Sequence, residues 1–437
     1  MTAEVRRIAE ESKAASHVLA VLSAERRQDA LLRIADLLES NAETILSANV
    51  EDVRLGRELA ARGELTEATV ARLRLSPGKL AEMVASVRAV VDLPEVIGKV
   101  LDGMELDTGL ELQKISVPLG VLAVIFEARP DAVTQIGALA IKSGNAVILK
   151  PGKEVERTAL VLVGLMRQAL LEAELPVASV SLVLGREAVA ELLQMPECVD
   201  LVIPRGSKAL VQYVQGATRI PVLGHAEGIC HIYVDEAVDE ELALRVIADA
   251  KTDYPAACNA VETVLVHRAI AGEFLPRLAE RMREAQVRML GSAETRTLLG
   301  GEVEEVAAWN TEYGELAMAV EVVAGMDEAI AHIHRFGSGH TESILTSDTG
   351  TAERFLQQVD AAGVYHNVST RFADGFRYGF GAEVGVSTSK MHARGPVGLE
   401  GLTTYKYLLR GKGQVVGSYH GAGAREFLHR RIGGETG

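Results

Sequence analysis

Cysteine is scarce in this 437-residue chain, which carries Cys198, Cys230 and Cys258 and no others. Three thiols, odd in number and far apart, build neither a disulfide framework nor a metal-ligand pattern, so a reducing cytoplasm is the expected location. Long apolar runs are missing too. No stretch is long enough to span a bilayer, and the start, Met1 to Lys13, interleaves Arg with Glu instead of leading with a basic segment and an apolar run. Neither membrane nor export is expected. Positive charge is in deficit: the formal net charge of -15 argues against nucleic acid as a partner. An anionic substrate would need its positive charge supplied locally. The dinucleotide fingerprint is also absent, because Gly379, Gly381 and Gly385 have the wrong spacing and lack a strand before and a helix after.

What is present begins with bulk. With 48% hydrophobic and 24% charged residues, the chain can bury a large core and should divide into two or more domains. Leu31, Ile34, Leu38 and Ile45 recur at helical spacing in a first hundred residues that read as scaffold. Ser76 before Pro77 predicts an N-cap and first helical residue, opening a helix through Leu80, Met83, Val84 and Val87. Near Met104 the period changes. Residues 104–117 alternate weakly, as an extended arm or hairpin that pairs with another subunit would.

Short β-rich runs then alternate with helical segments: Val121 to Phe126, Ala146 to Lys150, Val180 to Leu184 and Leu201 to Pro204. Parallel strands need crossover connections, so this pattern predicts an α/β fold with helices on both faces of a parallel sheet. Two turns stand at strand ends, Lys150-Pro151-Gly152-Lys153 and Arg205-Gly206-Ser207-Lys208. In open α/β sheets ligands bind beyond the carboxyl ends of strands, where helix N-termini favour phosphates. Both turns therefore lie where a cofactor should.

The remaining chemistry gathers at Ala250 to Glu262, AKTDYPAACNAVE, with Cys258 at its centre. Its small, uncharged neighbours would let an acyl group reach the sulfur, although a lone cysteine more often serves as a small core hydrophobe.

These pieces, in this order, resemble the aldehyde dehydrogenase superfamily: the proline-led strand Pro118 to Phe126, Lys150-Pro151, Gly206-Ser207, Cys258, and Glu312-Tyr313-Gly314. Within it the chain is most similar to the gamma-glutamyl phosphate reductase family. The carrying stretches are Val117 to Gln135, Ala140 to Glu154, Tyr254 to Thr263, His332 to Ile344 and Asn367 to Tyr407. Phe336 departs from the His or Tyr usual in that family. The resemblance implies an aldehyde dehydrogenase-like fold of two parallel-type α/β domains plus an oligomerisation arm. It also implies NADPH-dependent reduction of L-glutamyl 5-phosphate to L-glutamate 5-semialdehyde with release of phosphate, a step of proline synthesis.

In that chemistry Cys258 is the nucleophile, and its backbone N–H together with Asn259 are candidates for holding the oxyanion. Lys150, Lys153, Gly206, Ser207 and Glu312 are the cofactor-binding candidates. Lys153 stands where NAD-preferring members carry an acid, and would attract the extra phosphate of NADP. Arg129, Asn367, Ser369 and Arg371 are candidates for substrate. The water-activating glutamate of hydrolytic relatives is replaced by Gly224, which fits a reductase, with Glu227 nearby as a further acid or base. A hydrolytic aldehyde dehydrogenase and a non-catalytic partner of glutamate 5-kinase stay open as alternatives.

The expected division is a cofactor-binding domain over 1–233, carrying the arm 104–117, a catalytic domain over 234–390, and a C-terminal return and oligomerisation segment over 391–437. A homo-oligomer, with the kinase as a transient partner, is expected. His332, His334 and His340 suggest a metal only superficially, since a two-residue spacing on a helix points side chains apart; no metal is expected. Cys198 and Cys230 are expected to be structural, and Val415-Val416 to form a short strand.

Overall fold

The computed structural model describes residues 3–432 apart from 226 and 302, so the last five residues of the tail and Ala226 lie outside the described residues. Two compact units emerge. The first comprises residues 1–223, 380–385 and 397–437, and the second 224–379 and 386–396. No helix is long and apolar enough to cross a membrane among the described residues.

In the first unit the periodic apolar positions become helices. Ala3–Leu19, Ala24–Ser40, Ala42–Ala61, Glu67–Leu73 and Pro77–Asp92 follow in sequence, with Leu31, Ile34, Leu38 and Ile45 fully buried. Ser76 caps the last of these as its sequence predicts, its Oγ accepting from the Lys79 N–H at 3.2 Å.

Four parallel strands form the sheet behind them, in the order Val180–Leu182, Ala146–Pro151, Val121–Phe126, Leu201–Arg205. Every residue of Val121–Phe126 is buried, which is why that run is continuously apolar and not alternating. The arm proves to be a hairpin, Val100–Asp107 with Leu110–Pro118, in a separate antiparallel sheet. Its partners come from the chain's end: Thr403–Arg410 pairs with Leu110–Pro118, and Arg430–Arg431 with Val100–Asp107. The short strand expected at Val415-Val416 is corrected to a 3-10 turn, Val416–Tyr419, with both valines exposed. Strand propensity alone does not decide whether a segment pairs.

The second unit is built on seven parallel strands. Their order is Glu304–Glu305, Arg288–Gly291, Ala317–Val323, Val261–His267, Cys230–Val234, Thr341–Leu345, Gly363–His366. Ile232, Val264 and Val320 from the central strands pack with Ile247, Phe274 and Leu275 from helices Glu240–Thr252 and Arg268–Glu284. The boundary expected at residue 233 moves accordingly. Cys230–Val234 hydrogen-bonds between Val261–His267 and Thr341–Leu345, so it opens the second unit instead of closing the first. Residues 386–396 also stay with the second unit, and the return to the first is split around them.

Candidate active site

Cys258 occupies the loop between helix Glu240–Thr252 and strand Val261–His267 of the second unit. Cys198 and Cys230 are buried, and burial raises both thiols above their ordinary range. Cys258 is only half-buried. Of the three sulfurs it is the one a reactant could reach.

The loop is held at three levels. At its base, Lys251 and Glu262 meet at 2.8 Å with both side chains fully buried. Burial raises the Glu262 carboxyl and lowers the Lys251 ammonium, each shift opposed by the partner's charge. Glu262 also accepts from the Gly314 N–H at 3.4 Å, which ties the Glu312-Tyr313-Gly314 segment to the same anchor. Glu312 itself is half-buried and has interactions of its own.

Across the loop's mouth runs Arg371. Its guanidinium donates to Asp253 at 3.0 Å and to the side-chain oxygen of Asn259, so one cation grips the loop on both sides of the sulfur. The Arg371 hydrogen bond holds the Asp253 carboxyl below the usual carboxylate range. Arg377 adds a second contact to Asp253 at 3.2 Å. Behind the loop lies Gly228. A Cβ on it would sit 2.0 Å from the Cys258 carbonyl oxygen and 2.5 Å from its Cα, so no larger residue fits without moving that backbone.

The polar residues singled out in the sequence thus have internal duties. Asn259 is 4% exposed, with its side-chain N–H donating to the Ala373 carbonyl at 2.9 Å while its oxygen accepts from Arg371. Its side chain is committed to these two contacts. Asn367, at a φ of 58°, clasps Thr346 through both amide atoms, accepting at 3.0 Å and donating at 2.8 Å. Ser369 accepts from the Arg371 N–H at 3.3 Å and caps the turn Thr370–Phe372. Arg371 grips the loop as described.

The histidines weighed in the sequence part company. His332 packs its ring against Trp309 and Phe336, and His334 accepts from the Asp360 N–H at 3.1 Å. Phe336 therefore packs, between His332 and Arg335. His340 instead joins His225 and Cys258, with one ligand-capable atom of each within 4.8 Å of the others. No spacing in the sequence announces that trio, because its members come from three separate segments.

The cofactor candidates of the first unit converge at the carboxyl edge of its parallel sheet. Lys150 ends one strand and is partly buried, which lowers its ammonium against the pull of Glu154, Glu156 and Glu127. Gly206 and Ser207 lead into helix Lys208–Ala217, capped by the Ser207 hydroxyl. The Ser207 N–H donates to the Glu127 carboxylate at 3.0 Å, and a Cβ at Gly206 would lie 2.4 Å from the same oxygen. Glu127, missed in the sequence, is exposed and sits where an anion would meet that helix. Lys153 is bridged to Glu64 at 3.0 Å, with both side chains exposed. Arg129 is exposed beyond the strand Val121–Phe126, next to Ala128, whose φ of 48° is held by burial and a 2.7 Å bond from its N–H to Glu154.

Comparison with known proteins bears on the family and the fold. The model of the aldehyde dehydrogenase family matches residues 1–310. The gamma-glutamyl phosphate reductase of Synechococcus elongatus is 51% identical over 422 residues, covering 97% of each chain. That of a Cyanothece species is 52% identical over 425 residues, again 97% of each. The crystal structure of the Thermotoga maritima gamma-glutamyl phosphate reductase is 40% identical, superposes with a TM-score of 0.91, and covers 94% of this chain and 99% of that one. An acetylating aldehyde dehydrogenase from Geobacillus thermoglucosidasius, 18% identical with a TM-score of 0.64, covers 94% of this chain and 97% of its own and shares the fold.

Proposed function

The chain belongs to the aldehyde dehydrogenase family and, within it, to the gamma-glutamyl phosphate reductases; from that premise we propose that it reduces L-glutamyl 5-phosphate to L-glutamate 5-semialdehyde through a thioester on Cys258. The observation that carries the proposal is a half-buried thiol in a loop gripped from both sides by Arg371 and anchored on the Lys251–Glu262 pair. A nucleophile fixed at both flanks loses little freedom on meeting its target.

The Cys258 sulfur, as thiolate, attacks the acyl carbon; the carbon–sulfur bond forms, the bond to the phosphate oxygen breaks, and phosphate leaves with that electron pair. Negative charge on the acyl oxygen is met by the backbone N–H groups of Cys258 and Asn259, which the side chain of Asn259 keeps in register. Members of this family use nicotinamide cofactors, and when bound the reduced nicotinamide supplies hydride to the thioester carbon. Cys258 then leaves as the aldehyde forms, ready for another cycle. With Gly224 where hydrolytic relatives carry their base, nothing at that position activates water against the thioester.

The residues of the first unit suit a phosphorylated dinucleotide. Lys150 and Lys153 bring positive charge to one strand end, in a chain whose net charge is -15. The Lys153–Glu64 bridge is exposed and worth about 0–1 kcal/mol, so a phosphate dianion can displace Glu64. Preference for NADPH follows. Gly206, Ser207 and Glu312 are the further cofactor contacts we propose. Arg129, Asn367, Ser369 and Arg371 remain the candidates for the amino-acid and phosphate ends of the substrate, although Asn367 also clasps Thr346, Ser369 caps the turn Thr370–Phe372 and Arg371 grips the loop.

The test runs the reaction backwards. NADP reduction with glutamate semialdehyde should require added phosphate in the native chain and should vanish in Cys258→Ala. Turnover that ignores phosphate would instead point to hydrolysis.

A further inference from the structure

His225, His340 and Cys258 form a donor set that the thioester chemistry leaves unexplained. The two rings meet edge to face with centroids 5.0 Å apart. The His225 Nδ1 lies 3.0 Å from the Val386 carbonyl, so it carries the proton and donates, leaving the lone pair on Nε2. The His340 Nδ1 lies 2.8 Å from the Thr341 hydroxyl. His340 is 1% exposed, and its Nε2 has no hydrogen-bond partner among the described residues. A buried polar atom left unpaired costs about 1–3 kcal/mol and calls for an explanation.

We propose that His225, Cys258 and His340 capture a divalent cation of the zinc class and thereby switch the nucleophile off. Two imidazole nitrogens and one sulfur, with no carboxylate among them, suit Zn²⁺ or Co²⁺ and do not suit Mg²⁺ or Ca²⁺, which demand oxygen. Three protein donors leave a fourth tetrahedral position for water. Zinc bonds of about 2.0–2.3 Å put tetrahedral donors roughly 3.5 Å apart. Donor atoms already within 4.8 Å reach that by small side-chain rotations. The bonds that fix each Nδ1 are the outer contacts that orient metal-binding histidines. On binding, the Cys258 S–H loses its proton to solvent and the sulfur lone pair goes to the metal, so it is no longer available to an acyl carbon. Capture stands on the geometry alone, whereas inhibition rests on the thioester reading.

Cobalt is the probe that separates the two. The purified full-length protein, free of thiol reductant, is titrated with Co²⁺ and watched for the near-ultraviolet absorption of a cobalt–thiolate bond. The expected result is a band saturating at one equivalent, bleached by Zn²⁺, lost in Cys258→Ser and weakened at least about tenfold in affinity in both His340→Ala and His225→Ala. The half-exposed His225 gives a variant that stays informative if His340→Ala does not fold. No band, or a band of native affinity in His225→Ala, overturns the capture. Inhibition of NADP reduction by Zn²⁺, reversed by chelator at the affinity of the cobalt competition, supports the switch. Cobalt bound at Cys258 with turnover intact under Zn²⁺ overturns the switch and counts against the thiolate mechanism, while leaving the cation site standing.

Discussion

At the scale of single residues, the loop depends on an atom that is not there. Gly228 lies against the Cys258 backbone at distances no Cβ tolerates. Gly228→Ala should therefore displace the sulfur, and a misplacement near 1 Å at a reacting centre costs about a hundredfold in rate. The expected signature is a large fall in kcat for a protein whose far-ultraviolet circular dichroism is native; unchanged turnover would show that the loop tolerates the shift.

His332 carries a pH dependence. Burial, with His231 and Arg335 adding to it, lowers its imidazole to about 3, so it is neutral near pH 7. The unfolded chain binds this proton more readily than the folded one, so stability falls as pH drops below about 6.5 toward 3, at up to about 1.4 kcal/mol per unit. His332→Phe, which keeps a ring between Trp309 and Phe336, should lose less stability than the native chain between pH 7 and pH 5 in urea unfolding. Equal losses would remove His332 as the cause.

At the scale of elements, the Lys251–Glu262 pair joins the end of one helix to the start of a strand and closes the loop between them. Fully buried pairs are weak stabilisers compared with apolar packing, but removing one partner strands the other's charge. Lys251→Met should cost about 3–5 kcal/mol, read from the urea midpoint. Lys251→Met combined with Glu262→Leu should recover much of it. If the single variant costs no more than the double, the two groups do not act as a pair.

These elements divide what the sequence disclosed from what it hid. Apolar periodicity foretold the helices and the buried run Val121–Phe126, because burial of a repeated face leaves its mark in residue type. Cys258 and the strand-end lysines stood out as candidates through composition and family likeness. The grip of Arg371 on Asp253 and Asn259 did not, since it joins residues far apart in the chain, and an arginine reads the same whether it holds substrate or a loop. The His225–His340 meeting was hidden for the same reason. Val415-Val416 misled because strand propensity is a property of residue type and does not by itself make a segment pair.

At the scale of the whole molecule, the antiparallel sheet presents Thr403–Arg410 at its border. Tyr405, Tyr407 and Leu409 fall on one face of that strand and are 49%, 59% and 57% exposed. An uncovered edge with apolar side chains invites pairing with another copy. Light scattering at micromolar concentration should report a homo-oligomer, shifted toward monomer by Tyr407→Lys. A native monomer would refute this use of the sheet.

The division into units follows from the same return of the chain. Leu110–Pro118 is made early, yet its partner Thr403–Arg410 lies near the chain's end, with the whole second unit between them. On the ribosome the seven-stranded unit is therefore complete while the hairpin of the first still has an open edge. Pairings so distant in sequence form late, and an edge left waiting can pair with the wrong strand. The sheet that carries the expected subunit contact is therefore finished only after the second unit has been made.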